Sequence, residues 1–249
     1  MLVRQSMGDL DGKIALVTGA GRGIGRASAG VLHAAGAHII AVARTAGDIE
    51  ALAGELHSRC EAWSDDVTTD AFIARIEALP RLDILVNNAG ANRPQPVCEV
   101  SDENLDFLID LNVRSVFRAA RAAARVMVRG GQGGSIISLS SQMGHVGSPN
   151  RSVYCMTKHA VEGMTKAMAV ELAPHNIRVN TVAPTFITTP MTKPMLDDPA
   201  FKAFVDRMIP LGRIGDVQDV AAAIRYLASP SATMITGHSL VIDGGWTAQ

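Results

Sequence analysis

The chain has 249 residues, 47% of them hydrophobic, and a net charge of −1. That balance leaves no basic footprint for nucleic acid or an anionic membrane surface, and no apolar run reaches the roughly 20 residues of a spanning helix. Three scattered cysteines (Cys60, Cys98, Cys155) and seven histidines show neither a disulfide framework nor metal-ligand spacing, so no metal site and a reducing, cytoplasmic setting are expected.

Residues 1–7 lack the long apolar segment of a secretory signal. Residues 1–10 are expected to form a flexible extension, with Met7 as an alternative start, and residues 11–249 a single α/β domain. Short apolar runs predict seven strands at 13–18, 38–43, 60–63, 83–87, 135–140, 177–183 and 239–243. Helical patterns fall between them near 23–35, 47–58, 68–79, 101–128, 152–173, 191–208 and 217–228. Strands that alternate with helices form parallel sheets through right-handed crossovers, which predicts a doubly wound sheet with helices on both faces. Ligands of such sheets lie beyond the carboxyl ends of the strands, so the chemistry is expected just after residues 18, 43, 63, 87, 140 and 183. The Pro- and Met-rich stretch at about 185–210 is long for a crossover and reads as a lid or substrate wall.

The first strand runs into a turn carrying Gly19, Arg22, Gly23, Ile24 and Gly25 before a helix. Glycines let the backbone approach a pyrophosphate, and the helix N-terminus offers free N–H donors and positive dipole. A NAD site usually ends its second strand on an acid that binds the ribose hydroxyls. Here Ala43 is followed by Arg44 and Thr45, and Arg44 offers a charge-assisted fork to a 2′-phosphate. Arg22 is a second possible cation. NADP(H) is therefore the expected cofactor and NAD(H) the alternative, in which Arg44 only caps the strand in solvent.

Tyr154 and Lys158 are four residues apart on a predicted helix and so share one face. Ser141 closes the fifth strand at the expected ligand edge, and Asn112 lies in the stretch 101–128. Reducing a ketone needs a proton donor at its oxygen, and oxidation needs the same group as base. A free phenol, with a pKa of about 10, is a poor base near neutrality. A cation near 4 Å at an effective dielectric of about 20 would stabilise phenolate by roughly 4 kcal/mol, about three pK units. Lys158 and the positive charge of an oxidised nicotinamide are thus together expected to bring Tyr154 towards neutrality, and Ser141 to donate to the substrate oxygen. A serine-nucleophile reading is poor, because Ser141 has no G-x-S-x-G elbow.

From about residue 11 to the C-terminus these features resemble the short-chain dehydrogenase/reductase family. The resemblance implies a single Rossmann-type domain with the cofactor diphosphate on the glycine turn and the adenine beside Asp66 and Val67. It places Asn88, Ala89 and Gly90 near the cofactor ribose, which Tyr154 and Lys158 also approach. It sets Pro184, the Ile187 backbone and the Thr189 hydroxyl around the carboxamide, and gives Asn112 a water in a proton relay from Lys158. The family usually has Pro-Gly where this chain has Pro184-Thr185. Several segments look like the L-xylulose (dicarbonyl) reductase branch, shared in part with gluconate and polyol dehydrogenases. That likeness implies a sugar, polyol or α-dicarbonyl substrate, with Gln142, His145, Asn150 and Thr185 as candidate contacts. A 3-oxoacyl-carrier-protein reductase is the alternative, and a non-catalytic dinucleotide-binding regulator the reading from another class. The resemblance also pairs the helices at 101–128 and 152–173 between subunits, giving a homotetramer or homodimer; packing within one subunit is the alternative.

Overall fold

A computed structural model describes residues 8–249. The expected start at Met1 or Met7 lies outside the described residues. Seven parallel strands form one sheet in the order β3-β2-β1-β4-β5-β6-β7. They are β1 (Ile14–Thr18), β2 (His38–Ala43), β3 (Cys60–Ser64), β4 (Ile84–Asn87), β5 (Gly134–Leu139), β6 (Ile177–Pro184) and β7 (Ser239–Ile242). The helices are α1 (Gly23–Ala34), α2 (Ala46–Leu56), α3 (Asp70–Glu77), α4 (Asp102–Ile109), α5 (Ser115–Gly130), α6 (Ser152–Leu172), α7 (Lys193–Leu196), α8 (Pro199–Met208) and α9 (Val217–Ala228).

Strand side chains alternate between two cores. Ala15, Val17, Ile39, Ala41, Ile84, Val86 and Ile137 point to the face covered by α1, α2 and α9. Leu16, Ile40, Val42, Leu85 and Ile136 point to the face covered by α3, α5 and α6. Both faces are buried, which is why the strands read as unbroken apolar runs with no polar alternation. The strand order reverses between β1 and β4, and this switch point opens a crevice beyond their carboxyl ends.

Three details differ from expectation. Residues 8–10, assigned to the flexible extension, belong to the domain: Leu10 is fully buried and its N–H donates to the Ala35 carbonyl at 2.9 Å, while Asp9 pairs with Arg225 at 3.0 Å. The stretch 101–128 is helical without a break from Asp102, as expected, but a π-helical turn, Asp110–Arg114, runs between α4 and α5. One wider turn leaves the apolar pattern nearly unchanged, so periodicity does not reveal it. The stretch 191–208 is split by Asp198-Pro199: proline disfavours helix in the residue before it, and Asp198 caps α8 by accepting from Ala200 N–H at 2.9 Å.

Candidate functional site

The crevice at the switch point forms a cleft of about 760 Å³ along the carboxyl edge of the sheet. At one end the chain turns tightly from β1 into α1. Gly19 has a φ of +65°, and a Cβ there would come within 2.7 Å of the Asn88 amide nitrogen. A Cβ on Gly25 would stand 2.2 Å from the Gly19 carbonyl oxygen and 2.4 Å from Asn88. Only glycine fits either position without moving backbone. Asn88 locks the two strand ends together: its side chain donates to the carbonyls of Thr18 (2.9 Å) and Gly19 (3.2 Å). The N–H groups of Asn88 and Ala89 in turn donate to the Thr18 hydroxyl at 3.0 and 3.1 Å.

Of the expected cofactor contacts, Gly19, Arg22, Gly23, Ile24, Arg44, Thr45, Asp66, Val67, Asn88, Ala89, Gly90, Tyr154, Lys158, Pro184, Ile187 and Thr189 all line this one cleft. Gly25 does not; it lies behind the turn and permits its approach to Asn88. The donor set fits a dinucleotide: a glycine turn at a helix N-terminus for phosphates, and two arginines at the outer end. Arg22 is exposed and pairs with Asp48 at 3.5 Å. Arg44 is also exposed. Burial works against ionisation of Asp66, but the Thr68 N–H and hydroxyl and the charge of Arg44 hold its carboxyl below the ordinary range.

At the inner end Ser141, Tyr154 and Lys158 converge on the cleft. Ser141 follows β5; its hydroxyl accepts from Met143 N–H at 3.1 Å and lies 3.4 Å from the Pro184 carbonyl. Lys158 is 7% exposed and donates to the Leu139 carbonyl at 2.7 Å. Burial pulls its ammonium down to about 8, against the pull of Glu162, one helical turn further on, which raises it.

Burial pushes the Tyr154 phenol up to about 12, outweighing the Ser141 hydroxyl and the Arg151 charge that lower it. The Lys158 ammonium is turned to the Leu139 carbonyl and sits 5.5 Å from the centre of the Tyr154 ring. At neutral pH the group is a phenol, fit to donate a proton.

Asn112 is buried beneath the cleft wall, in the π turn. Its side chain accepts from Ala91 N–H at 2.9 Å and donates to the Ala91 carbonyl (2.8 Å) and the Thr157 hydroxyl (3.3 Å). It therefore ties the loop after β4 to the helix that carries Tyr154 and Lys158.

Among the expected substrate contacts only Thr185 lines the cleft. Its N–H donates to Ile242 at 3.1 Å and its φ is not positive, so the turn does not need the usual glycine. His145 is drawn instead to Ser239 (2.9 Å) and Glu162 (3.5 Å). Asn150 takes a left-handed backbone (φ 59°) in an exposed turn, where its carbonyl accepts from Gln95 N–H. Gln142 is buried directly behind Ser141.

The cleft also uses residues that the sequence reading passed over, among them Asp65, Phe107, Asp110 and Thr192. Asp65 follows β3 and the strand-end rule could have found it; Phe107 and Asp110 come from α4 and the π turn, which carried no motif. Glu162 was also missed, although it repeats the four-residue step from Tyr154 to Lys158. Its carboxylate accepts from the hydroxyls of Thr181 and Ser239, each at 3.0 Å. Among the described residues no group of His, Cys, Asp and Glu is placed to hold a metal, and no helix is long and apolar enough to cross a membrane.

A family model described as enoyl-(acyl carrier protein) reductase matches residues 19–247. The L-xylulose reductase of Bos taurus is 42% identical over 240 residues, covering 96% of this chain and 98% of that protein. A short-chain type dehydrogenase/reductase from Mycobacterium marinum superposes with a TM-score of 0.90 at 39% identity, covering 97% and 98% of the two chains. A gluconate 5-dehydrogenase from Burkholderia cenocepacia, solved with NADP and tartrate, superposes at 0.92 with 34% identity, covering 96% and 97%.

Proposed function

The chain belongs to the short-chain dehydrogenase/reductase family of oxidoreductases, and on that footing we propose that it reduces a small polyhydroxylated carbonyl compound with NADPH and oxidises the matching alcohol in reverse. The observation that carries this reading is the meeting of Ser141, Tyr154 and Lys158 at the inner end of a cleft whose outer end is the glycine turn. The bovine relative is named for a ketose and the Burkholderia neighbour for a sugar acid, which supports a substrate of sugar size.

A reduced nicotinamide cofactor, held in the cleft by the glycine turn and Lys158, would supply the hydride for the carbonyl carbon. Ser141 donates to the carbonyl oxygen and fixes its position. Tyr154 gives its phenolic proton to that oxygen, the role suited to a group held at about 12. The phenolate left behind is stabilised by the Ser141 hydroxyl and the Arg151 charge until a proton returns. Lys158, carrying its charge below about 8, keeps the inner wall positive and binds the nicotinamide ribose. Asn112 ties the Ala91 loop to the helix that carries the lysine, where it would seat a water of a proton relay. At the outer end Arg44 and Arg22 take a 2′-phosphate, which sets the preference for NADPH over NADH.

Exposed Phe117 on α5, with Met156 and Val170 on α6, supports assembly into a dimer or tetramer through these helices, checked by light scattering. The three free cysteines suit a reducing compartment.

A panel of ketoses, α-diketones, polyols and 3-oxoacyl thioesters, each with NADPH and NADH and followed by nicotinamide absorbance, tests the reading. Turnover of hydroxylated ketones, faster with NADPH, is expected. Thioesters turned over in preference to every ketose, or no turnover of any carbonyl, contradicts it.

A further inference from the structure

Arg151 precedes α6, three residues before Tyr154, and is only 9% exposed. Its guanidinium does not meet a carboxylate. One terminal nitrogen lies 3.4 Å from the Met195 sulfur, a weak acceptor, and its Nε has no partner. Among the described residues the other ionisable groups that feel its charge are Tyr154 and Cys155. A guanidinium stays protonated at any working pH, and a buried charge without a counter-ion is costly. Such a charge beside the reacting phenol is explained if its partner arrives with the substrate.

A further buried group lies on the cleft wall: the Thr185 hydroxyl, next to Pro184 whose carbonyl lies 3.4 Å from the Ser141 hydroxyl, has no partner among the described residues. A fixed cation and a free hydroxyl beside one proton donor complement an anionic group and a hydroxyl on one small molecule. A single guanidinium suits a carboxylate, whose two oxygens match its fork.

We propose that the substrate is a hydroxylated keto acid whose carboxylate is held by Arg151, with Thr185 taking one of its hydroxyls. This rests on the carbonyl-reduction reading above. Arg151 is then the residue that separates sugar acids from neutral sugars.

The test uses the full-length protein, NADPH and two compounds that differ only in a carboxylate replaced by a hydroxymethyl, 5-ketogluconate and L-sorbose, with fructose 6-phosphate as a phosphate-bearing control. Wild type is expected to favour 5-ketogluconate by about tenfold or more in kcat/KM. Arg151→Met is expected to cut that ratio by roughly 30-fold, with Arg151→Lys keeping part of it. Any effect of Arg151 on the phenol itself cancels in the ratio, because both substrates use the same Tyr154. Equal rates on acid and neutral ketose, preference for the phosphate, or an unchanged ratio in Arg151→Met overturns the inference. In any of these cases turnover of a neutral ketone leaves the oxidoreductase reading standing; no turnover of any carbonyl removes both. Thermal melts of wild type give a readout that does not depend on the variant folding. Gluconate is expected to raise the melting temperature more than sorbitol does, and equal shifts count against the inference.

Discussion

The two ends of the cleft are built on opposite principles. At the outer end the work is done by backbone: Gly19 and Gly25 bring the turn against Asn88, and the arginines beyond it stand in solvent, Arg22 69% exposed beside Asp48. Charges there are screened, so each contributes modestly. At the inner end the groups are withdrawn from water. Burial moves Tyr154 up to about 12 and Lys158 down to about 8, both towards the neutral form. The difference teaches that the outer end can be altered gradually, whereas at the inner end a single charge alters chemistry and stability together.

Replacing the inner cation should break that contrast most. Lys158→Met is expected to lower kcat by about 10²- to 10⁴-fold. It should also stabilise the fold at pH 7. The lysine's folded value of about 8 lies below its ordinary 10.5, so the unfolded chain binds more protons between the two and wild-type stability rises with pH across that window. The penalty is complete below about 8, worth up to about 3 kcal/mol. Denaturant melts should therefore show the variant's advantage shrinking as pH climbs from about 8 to 10.5. An advantage that grows with pH would contradict the burial account.

Next in size is the outer turn. Gly25→Ala forces backbone apart where a Cβ would sit 2.2 Å from Gly19 O. It is expected to destabilise by about 1–3 kcal/mol and to weaken NADPH binding at least tenfold in a fluorescence titration. Glu162→Gln sharpens the comparison from within. Losing the carboxylate that raises the Lys158 value should move the alkaline limb of the kcat/KM profile down by about one pH unit, with little change in NADPH affinity. Smallest is Arg44→Ala, a solvent-exposed change, expected to raise the NADPH KM about tenfold and the NADH KM far less. Equal effects on both would remove the phosphate assignment.

Much of this was legible in the sequence, and for a physical reason. Strands buried on both faces leave apolar runs bounded by turn residues, so all seven strands were located, and strand ends in this architecture carry the site. The glycine turn and the Tyr154–Lys158 pair were legible because their spacing is their mechanism. What escaped depends on contacts distant in sequence. The π turn that seats Asn112 differs from a helix by one residue per turn and is fixed by Ala91. His145 and Asn150 looked like rim contacts, yet one is drawn to Ser239 and Glu162 and the other serves a turn. The weight of burial on Tyr154 also escaped, because it depends on packing from distant segments and the lysine faces Leu139.

The central claim is that the buried phenol of Tyr154 delivers the proton while the rest of the cleft holds the cofactor. Tyr154→Phe tests it most directly, with turnover and NADPH affinity measured on the same preparation. The account predicts a loss of kcat of at least about 10²-fold at nearly unchanged NADPH affinity. A variant that turns over at the wild-type rate, or that loses NADPH binding along with its activity, contradicts it.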